Sequence, residues 1–120
     1  MTTLRGIGFL PYRILHYLTV NGVDPFQEWL EALADRTARV AVTRRLNRME
    51  AGNFGDHAHC RAGVRELRFD MGPGYRVYYT IAQRAAVLVL GGGDKRSQPA
   101  DIDRACAYLA DFKRRSSDPD

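Results

Sequence analysis

The stretch Val64-Arg65-Glu66-Leu67-Arg68-Phe69, Asp70-Met71-Gly72-Pro73-Gly74, Tyr75-Arg76-Val77-Tyr78-Tyr79-Thr80-Ile81 decides the fold. Side chains alternate across a strand, so Leu67 and Phe69 share one face while Glu66 and Arg68 share the other. In the second half Tyr75, Val77, Tyr79 and Ile81 take the first face and leave Arg76, Tyr78 and Thr80 on the second. The five residues between carry two glycines and a proline, which suit a tight connection, so 64–69 and 75–81 read as an antiparallel hairpin. If Phe69 faces Tyr75, Arg68 stands opposite Arg76 and Glu66 opposite Tyr78. Like charges directly opposite one another destabilise a sheet. The arginine pair therefore calls either for a neutralising carboxylate, Glu66 being at hand, or for an incoming anion.

Downstream, 85–90 reads as a third strand. Val87, Leu88, Val89 and Leu90 are apolar on both parities, which calls for cover on both faces. Gly91-Gly92-Gly93-Asp94-Lys95-Arg96 then reads as a wide turn whose glycines could let backbone N–H groups approach a phosphate. It lacks the glycine spacing of a nucleoside-triphosphate loop. A final helix over 99–115 presents Ile102, Ala105, Cys106, Leu109 and Phe112 on one side.

Upstream, Tyr12–Leu18 reads as a short strand, followed by a turn at Asn21-Gly22. Asp24-Pro25 announces a helix over 24–34, with a capping carboxylate and a proline suited to the first turn. Phe26, Trp29, Leu30 and Leu33 supply its apolar face. A second helix over 36–51 buries Ala38, Val42, Leu46 and Met49 and ends at Gly52. Arg44, Arg45 and Arg48 lie away from that stripe, either as a solvated face or as a contact for RNA or a partner. Trp29 and the inward tyrosines read as core. The fold class is α+β, an antiparallel sheet with helices packed on one face, in a single domain over 1–120 with a loose leader (1–11) and tail (116–120).

With 120 residues, 45% hydrophobic and 27% charged, the chain has ordinary globular usage, which excludes wholesale disorder and a fibrous repeat. The longest strongly apolar run, 85–90, is far short of a membrane span. Cys60 and Cys106 are too few for a disulfide framework, and no signal-peptide pattern opens the sequence, so a cytoplasmic protein with reduced thiols is expected. The net charge is +4, and apart from Lys95 and Lys113 every cation is an arginine. The planar guanidinium suits phosphate and carboxylate, so the partner classes are nucleic acid or an acidic protein. His57-x-His59-Cys60 invites a metal reading, but it lacks a Cys-x-x-Cys partner and is taken as a polar loop before the hairpin.

Gly52-Asn53-Phe54-Gly55-Asp56-His57, Val64-Arg65-Glu66-Leu67-Arg68, Gly72-Pro73-Gly74-Tyr75-Arg76-Val77-Tyr78-Tyr79 and Gly91-Gly92-Gly93-Asp94-Lys95, with Gln98 and Asp101-Ile102, resemble the addiction-module killer proteins. These form the phage-derived, HigB-like branch of the RelE/ParE toxin superfamily, and the resemblance spans about 12–114. It implies a RelE-like fold and a toxin neutralised by a cognate antitoxin, a small helix-turn-helix protein. It further implies ribosome-dependent cleavage of mRNA with neither metal nor cofactor. On this resemblance Arg76 matches a catalytic arginine, Lys95-Arg96 the cationic loop after the last strand, and Arg68 is a looser match. Where RelE-type toxins carry a basic residue, this chain has Glu66.

Cleavage by a ribose 2′-hydroxyl needs a base, a cation for the charge developing on phosphate oxygens, and an acid for the leaving oxygen. Arg76 and Arg68 can supply charge and Lys95 or Arg96 can hold a neighbouring phosphate. Glu66, His57 or Lys95 can act as base, and Tyr78 can stack on a base or donate a proton. Arg65, Arg45 and Arg48 complete the candidate RNA contacts. Two other readings stand beside this one: a ParE-like inhibitor of DNA gyrase that cuts nothing, and a phage-derived nucleic-acid-binding module without toxicity. In every case Arg76 is expected on an open sheet face, where Arg76→Ala would cost about 0.5 kcal/mol or less.

Overall fold

A computed structural model describes residues 10–116. The order is β1 (Arg13–His16), α1 (Pro25–Ala32), α2 (Arg36–Glu50), β2 (His57–Arg61), β3 (Val64–Arg68), β4 (Tyr75–Ala82), a 3-10 turn (Gln83–Ala85), β5 (Ala86–Asp94) and α3 (Gln98–Ser116). The chain is α+β: five strands in the order β1-β5-β4-β3-β2 make one sheet, with three helices packed against it, an arrangement compatible with a RelE-like fold. Of the expected loose leader (1–11) and tail (116–120), 1–9 and 117–120 lie outside the described residues, and Ser116 is the last residue of α3. Among the described residues no helix is long and apolar enough to cross a membrane.

The local signals upstream act as their chemistry dictates. Asp24 caps α1 by accepting from the Gln27 amide at 3.0 Å, with Pro25 in the first turn. Its other carboxylate oxygen lies 2.7 Å from His16 Nδ1, which ties the helix start to β1. Asp35 caps α2 in the same way, through the Ala38 amide at 3.1 Å.

Four features differ from the sequence reading. The sheet is mixed, because β1 pairs parallel with β5, from Arg13 with Ala86 to His16 with Val89. The helices divide between the two faces. Phe26 of α1 and Val42 and Met49 of α2 pack on Leu67, Val77, Tyr79, Val87 and Val89, whereas Ala105 and Leu109 of α3 pack on Val64, Tyr78, Leu88 and Leu90. This division is what the two-sided apolar pattern of 87–90 requires. The loop expected at 57–60 is the edge strand β2, joined to β3 by a turn in which Ala62 and Gly63 both take positive φ (55° and 86°).

The glycines expected in a turn instead continue β5 opposite Arg76–Tyr78 of β4. The Trp29 ring packs directly on Gly92 and the Asp101 carboxylate on Gly93, where any Cβ would collide with them. Gly92 and Gly93 thus serve close approach within a strand.

Candidate functional site

The hairpin register is the one the alternation predicts. Phe69 N bonds Tyr75 O at 3.1 Å, Arg68 pairs with Arg76, and Glu66 pairs with Tyr78. The like-charged pair is resolved by Glu66, whose carboxylate is 1% exposed beneath the two guanidiniums. Its Oε2 accepts from Arg68 Nε at 2.8 Å and lies 3.8 Å from Arg76 Nε. Its Oε1 accepts from Gln98 Nε2 at 2.9 Å, and the Cys60 thiol points to it at 3.6 Å. A buried carboxylate is tolerable only when paired and hydrogen-bonded in this manner.

Burial by itself would raise the Glu66 pKa. The hydrogen bonds from Arg68 and Gln98, with the charges of Arg68 and Arg76, outweigh it and hold the carboxyl below its ordinary range. The hydrogen bond to Glu66 in turn raises the Arg68 pKa. Burial and the neighbouring Glu66 charge push the Cys60 thiol up to about 12, so it stays protonated and donates.

Arg76 does not stand on an open face. Its side chain is 13% exposed, because α3 comes down over this part of the sheet and its first residue, Gln98, reaches Glu66. Arg76 Nη1 donates to the carbonyls of Gly74 (3.1 Å) and Tyr75 (3.3 Å), and its Nε has no hydrogen-bond partner among the described residues. The expectation of a nearly cost-free Arg76→Ala therefore fails, since burial and these bonds would be lost. Lys95 joins the group through Gly74. A Cβ built there would lie 3.3 Å from Lys95 Cβ and 3.5 Å from Arg76 Nη1, so the Lys95 side-chain stem and the Arg76 guanidinium border the same glycine. Arg68 and Arg76 against the single carboxylate of Glu66 leave the cluster positive.

The other candidates are placed elsewhere. Tyr78 is on the same face as Arg76 but 1% exposed, so it cannot offer its ring as a surface stacking platform. Burial, with Glu66 nearby, raises its pKa. His57 pairs with Leu67, and so belongs to the α1/α2 face, where it packs on Phe54 with ring centroids 5.8 Å apart and its Nδ1 lies 2.8 Å from Gly55 O. Arg65 pairs with Tyr79 on that same face. Arg96 is exposed and pairs with Asp94 at 3.5 Å.

Arg45 and Arg48 are both on α2. Arg48 is exposed, but Arg45 is half-buried and structural, donating to the carbonyls of Phe54, Asp56 and Arg68 with its guanidinium 4.4 Å from the Phe69 ring centroid. His57 and His59 project from one face of β2 and Cys60 from the other, into the α3 cluster. Among the described residues no three His, Cys, Asp or Glu side chains gather as metal ligands would. Sequence reasoning missed Gln98 and Cys60 as partners of Glu66, and the strand alternation of β2 was the one signal that could have brought Cys60 to the α3 face.

The fold and this cluster define a small α+β protein with a cationic, carboxylate-centred group on the α3 face of a mixed sheet. A family model described as Phage derived protein Gp49-like (DUF891) matches residues 28–111, and the chain belongs to that family. It is also 41% identical over 80 residues to a protein of Haemophilus influenzae (strain ATCC 51907 / DSM 11121 / KW20 / Rd) described as "Uncharacterized protein", covering 67% of this chain and 81% of that relative.

Proposed function

We propose that this chain is the toxin of a type II toxin–antitoxin system and cleaves mRNA on the ribosome, with Arg76, Arg68 and Lys95 receiving the phosphate. The observation that carries the reading is the buried Glu66 carboxylate holding Arg68 and Arg76 side by side, with Lys95 against the same glycine as Arg76. In such a cleavage the ribose 2′-oxygen bonds to the neighbouring phosphorus, the bond to the 5′-oxygen breaks, and a 2′,3′-cyclic phosphate and a 5′-hydroxyl result. Negative charge accumulates on the phosphate oxygens in the transition state. Preorganised cations aimed at that charge are the strongest contribution a protein makes to such a step. Glu66 is buried and engaged on both oxygens, so it is a positioning residue that fixes the guanidiniums.

The proposed partners are the ribosome with its mRNA in the cytoplasm, and a cognate antitoxin, a small helix-turn-helix protein, that covers the cluster. The test is induced expression with mapping of mRNA 5′ ends. Cuts within translated frames are expected. DNA damage without such cuts would shift the reading to a gyrase inhibitor, and unimpaired growth would shift it to a nucleic-acid-binding module.

A further inference from the structure

β1 accompanies β5 only as far as Val89, whose carbonyl accepts from the Tyr17 amide at 3.0 Å. Beyond that point β5 has β4 on one side, while on the other α1 and α3 converge on a cavity of about 320 Å³ lined by Glu28, Trp29, Tyr78, Gly91, Arg104 and Tyr108. Two features mark this cavity. Gly91 pairs with Tyr78, so the side chain it lacks would share Tyr78's face. A Cβ there would meet no atom of the described residues within 4 Å, and Gly91 is not among the glycines with positive φ. Gly91 lies at the bulge where β5 gains one residue on β4, Tyr78 pairing with Gly91 and Tyr79 with Val89, and the side chain it lacks leaves the space beside Tyr78 open. The second feature is the Tyr78 hydroxyl, buried and without a hydrogen-bond partner among the described residues, a costly state for a polar group.

The cavity is not shaped for a phosphate. Glu28 and Asp101 line it against the single cation Arg104, which is already paired with Asp101 at 2.8 Å. Glu28 is exposed and its carboxylate makes no hydrogen bond or ion pair among the described residues. An ionised carboxylate only accepts, so it recognises amino donors. Trp29 and Tyr108 add flat aromatic surface. Tyr78 is two residues beyond Arg76 on one face of β4, about 7 Å along the strand, which is on the scale of one nucleotide.

From these observations we infer that the cavity receives the base of the nucleotide next to the phosphate bound by the Arg76 cluster, and that it selects bases carrying an exocyclic amino group. The Tyr78 hydroxyl bonds the ring and Glu28 accepts from the amino group, in the space that Gly91 leaves empty. The inference rests on the reading of the cluster as an RNA phosphate site.

Trp29 is the sole tryptophan, so its fluorescence reports the cavity directly. The intact protein is titrated with AMP, CMP, GMP and UMP, and with ribose 5-phosphate as the probe of phosphate alone. Saturable responses to the amino-bearing nucleotides, at least tenfold weaker binding of UMP and no response to ribose 5-phosphate are expected. Gly91→Val fills the cavity with a side chain suited to a strand, so it should melt no lower than the parent and lose the response. Tyr78→Phe, which deletes only the hydroxyl, should weaken binding tenfold or more, and keeps the test alive if the valine variant does not fold. An equal response to UMP or ribose 5-phosphate, or unchanged binding by folded Gly91→Val, overturns the inference. Cleavage of mRNA by a parent protein that ignores all four nucleotides overturns the base pocket alone, whereas selective nucleotide binding without cleavage supports the pocket and overturns the nuclease.

Discussion

Replacing Glu66 by Gln keeps the size of the side chain and removes its charge, so it isolates what the carboxylate does beneath Arg68 and Arg76. Removing one partner of a buried ion pair typically costs about 3–5 kcal/mol, because the other charge is stranded. Here one of the two stranded cations has an escape. The Arg68 side chain is 43% exposed and can turn to water, whereas Arg76, at 13% exposed and held by two carbonyls, cannot. The lower bound applies, about 3 kcal/mol at pH 7, which for a domain of this size lowers Tm by about 10–15 °C. The effect should also depend on pH. Because the folded-state pKa of Glu66 is depressed, its contribution is fully present above the unfolded value of about 4.3 and fades as pH falls through the folded value. The Tm gap between parent and Glu66→Gln should therefore be widest near neutrality and narrow steadily as pH falls below about 4. Thermal unfolding followed by circular dichroism between pH 7 and pH 3 measures both. A variant within 2 °C of the parent at pH 7, or a gap that does not change with pH, would show that Glu66 does not organise the two arginines.

Arg76→Ala should cost about 1–2 kcal/mol through the lost carbonyl bonds and the weakened partner of Glu66, and at least about a hundredfold in mRNA cleavage; a folded variant that cleaves normally would remove Arg76 from the site. Gly92→Ala should destabilise by about 2–3 kcal/mol in denaturant titration, because its methyl group displaces Trp29, in contrast to the tolerated substitution at Gly91. On α2, Arg45→Ala should cost about 1–3 kcal/mol, because three backbone carbonyls lose a charged donor, whereas the exposed Arg48→Ala should stay within about 0.5 kcal/mol; equal costs in urea melts would contradict the structural role of Arg45.

What the sequence shows and what it hides follow from how far each contact reaches along the chain. The β3–β4 hairpin is readable because alternation and a glycine-rich loop are local, and its register alone brings Glu66, Arg68 and Arg76 onto one face. β2 is not readable, because its inward positions are Ala58 and Cys60, too small and too few to make an apolar alternation. The parallel pairing of β1 joins residues some seventy positions apart, and nothing near Arg13–His16 reports it. Gly91–Gly93 look like a turn because glycine weakens a strand in isolation. The packing of Trp29 and Asp101 makes two of them necessary, and the third marks the bulge of β5 against β4. The burial of Arg76 lies between these cases. Its cause, a helix on the second face, is implied by the two-sided apolar run Val87–Leu90, since a strand buried on both faces must be covered on both. Taken to its end, that pattern places a helix over the second face and turns an apparently open arginine into one held between a carboxylate and two carbonyls, the preorganised state that the proposed stabilisation of a developing phosphate charge would need.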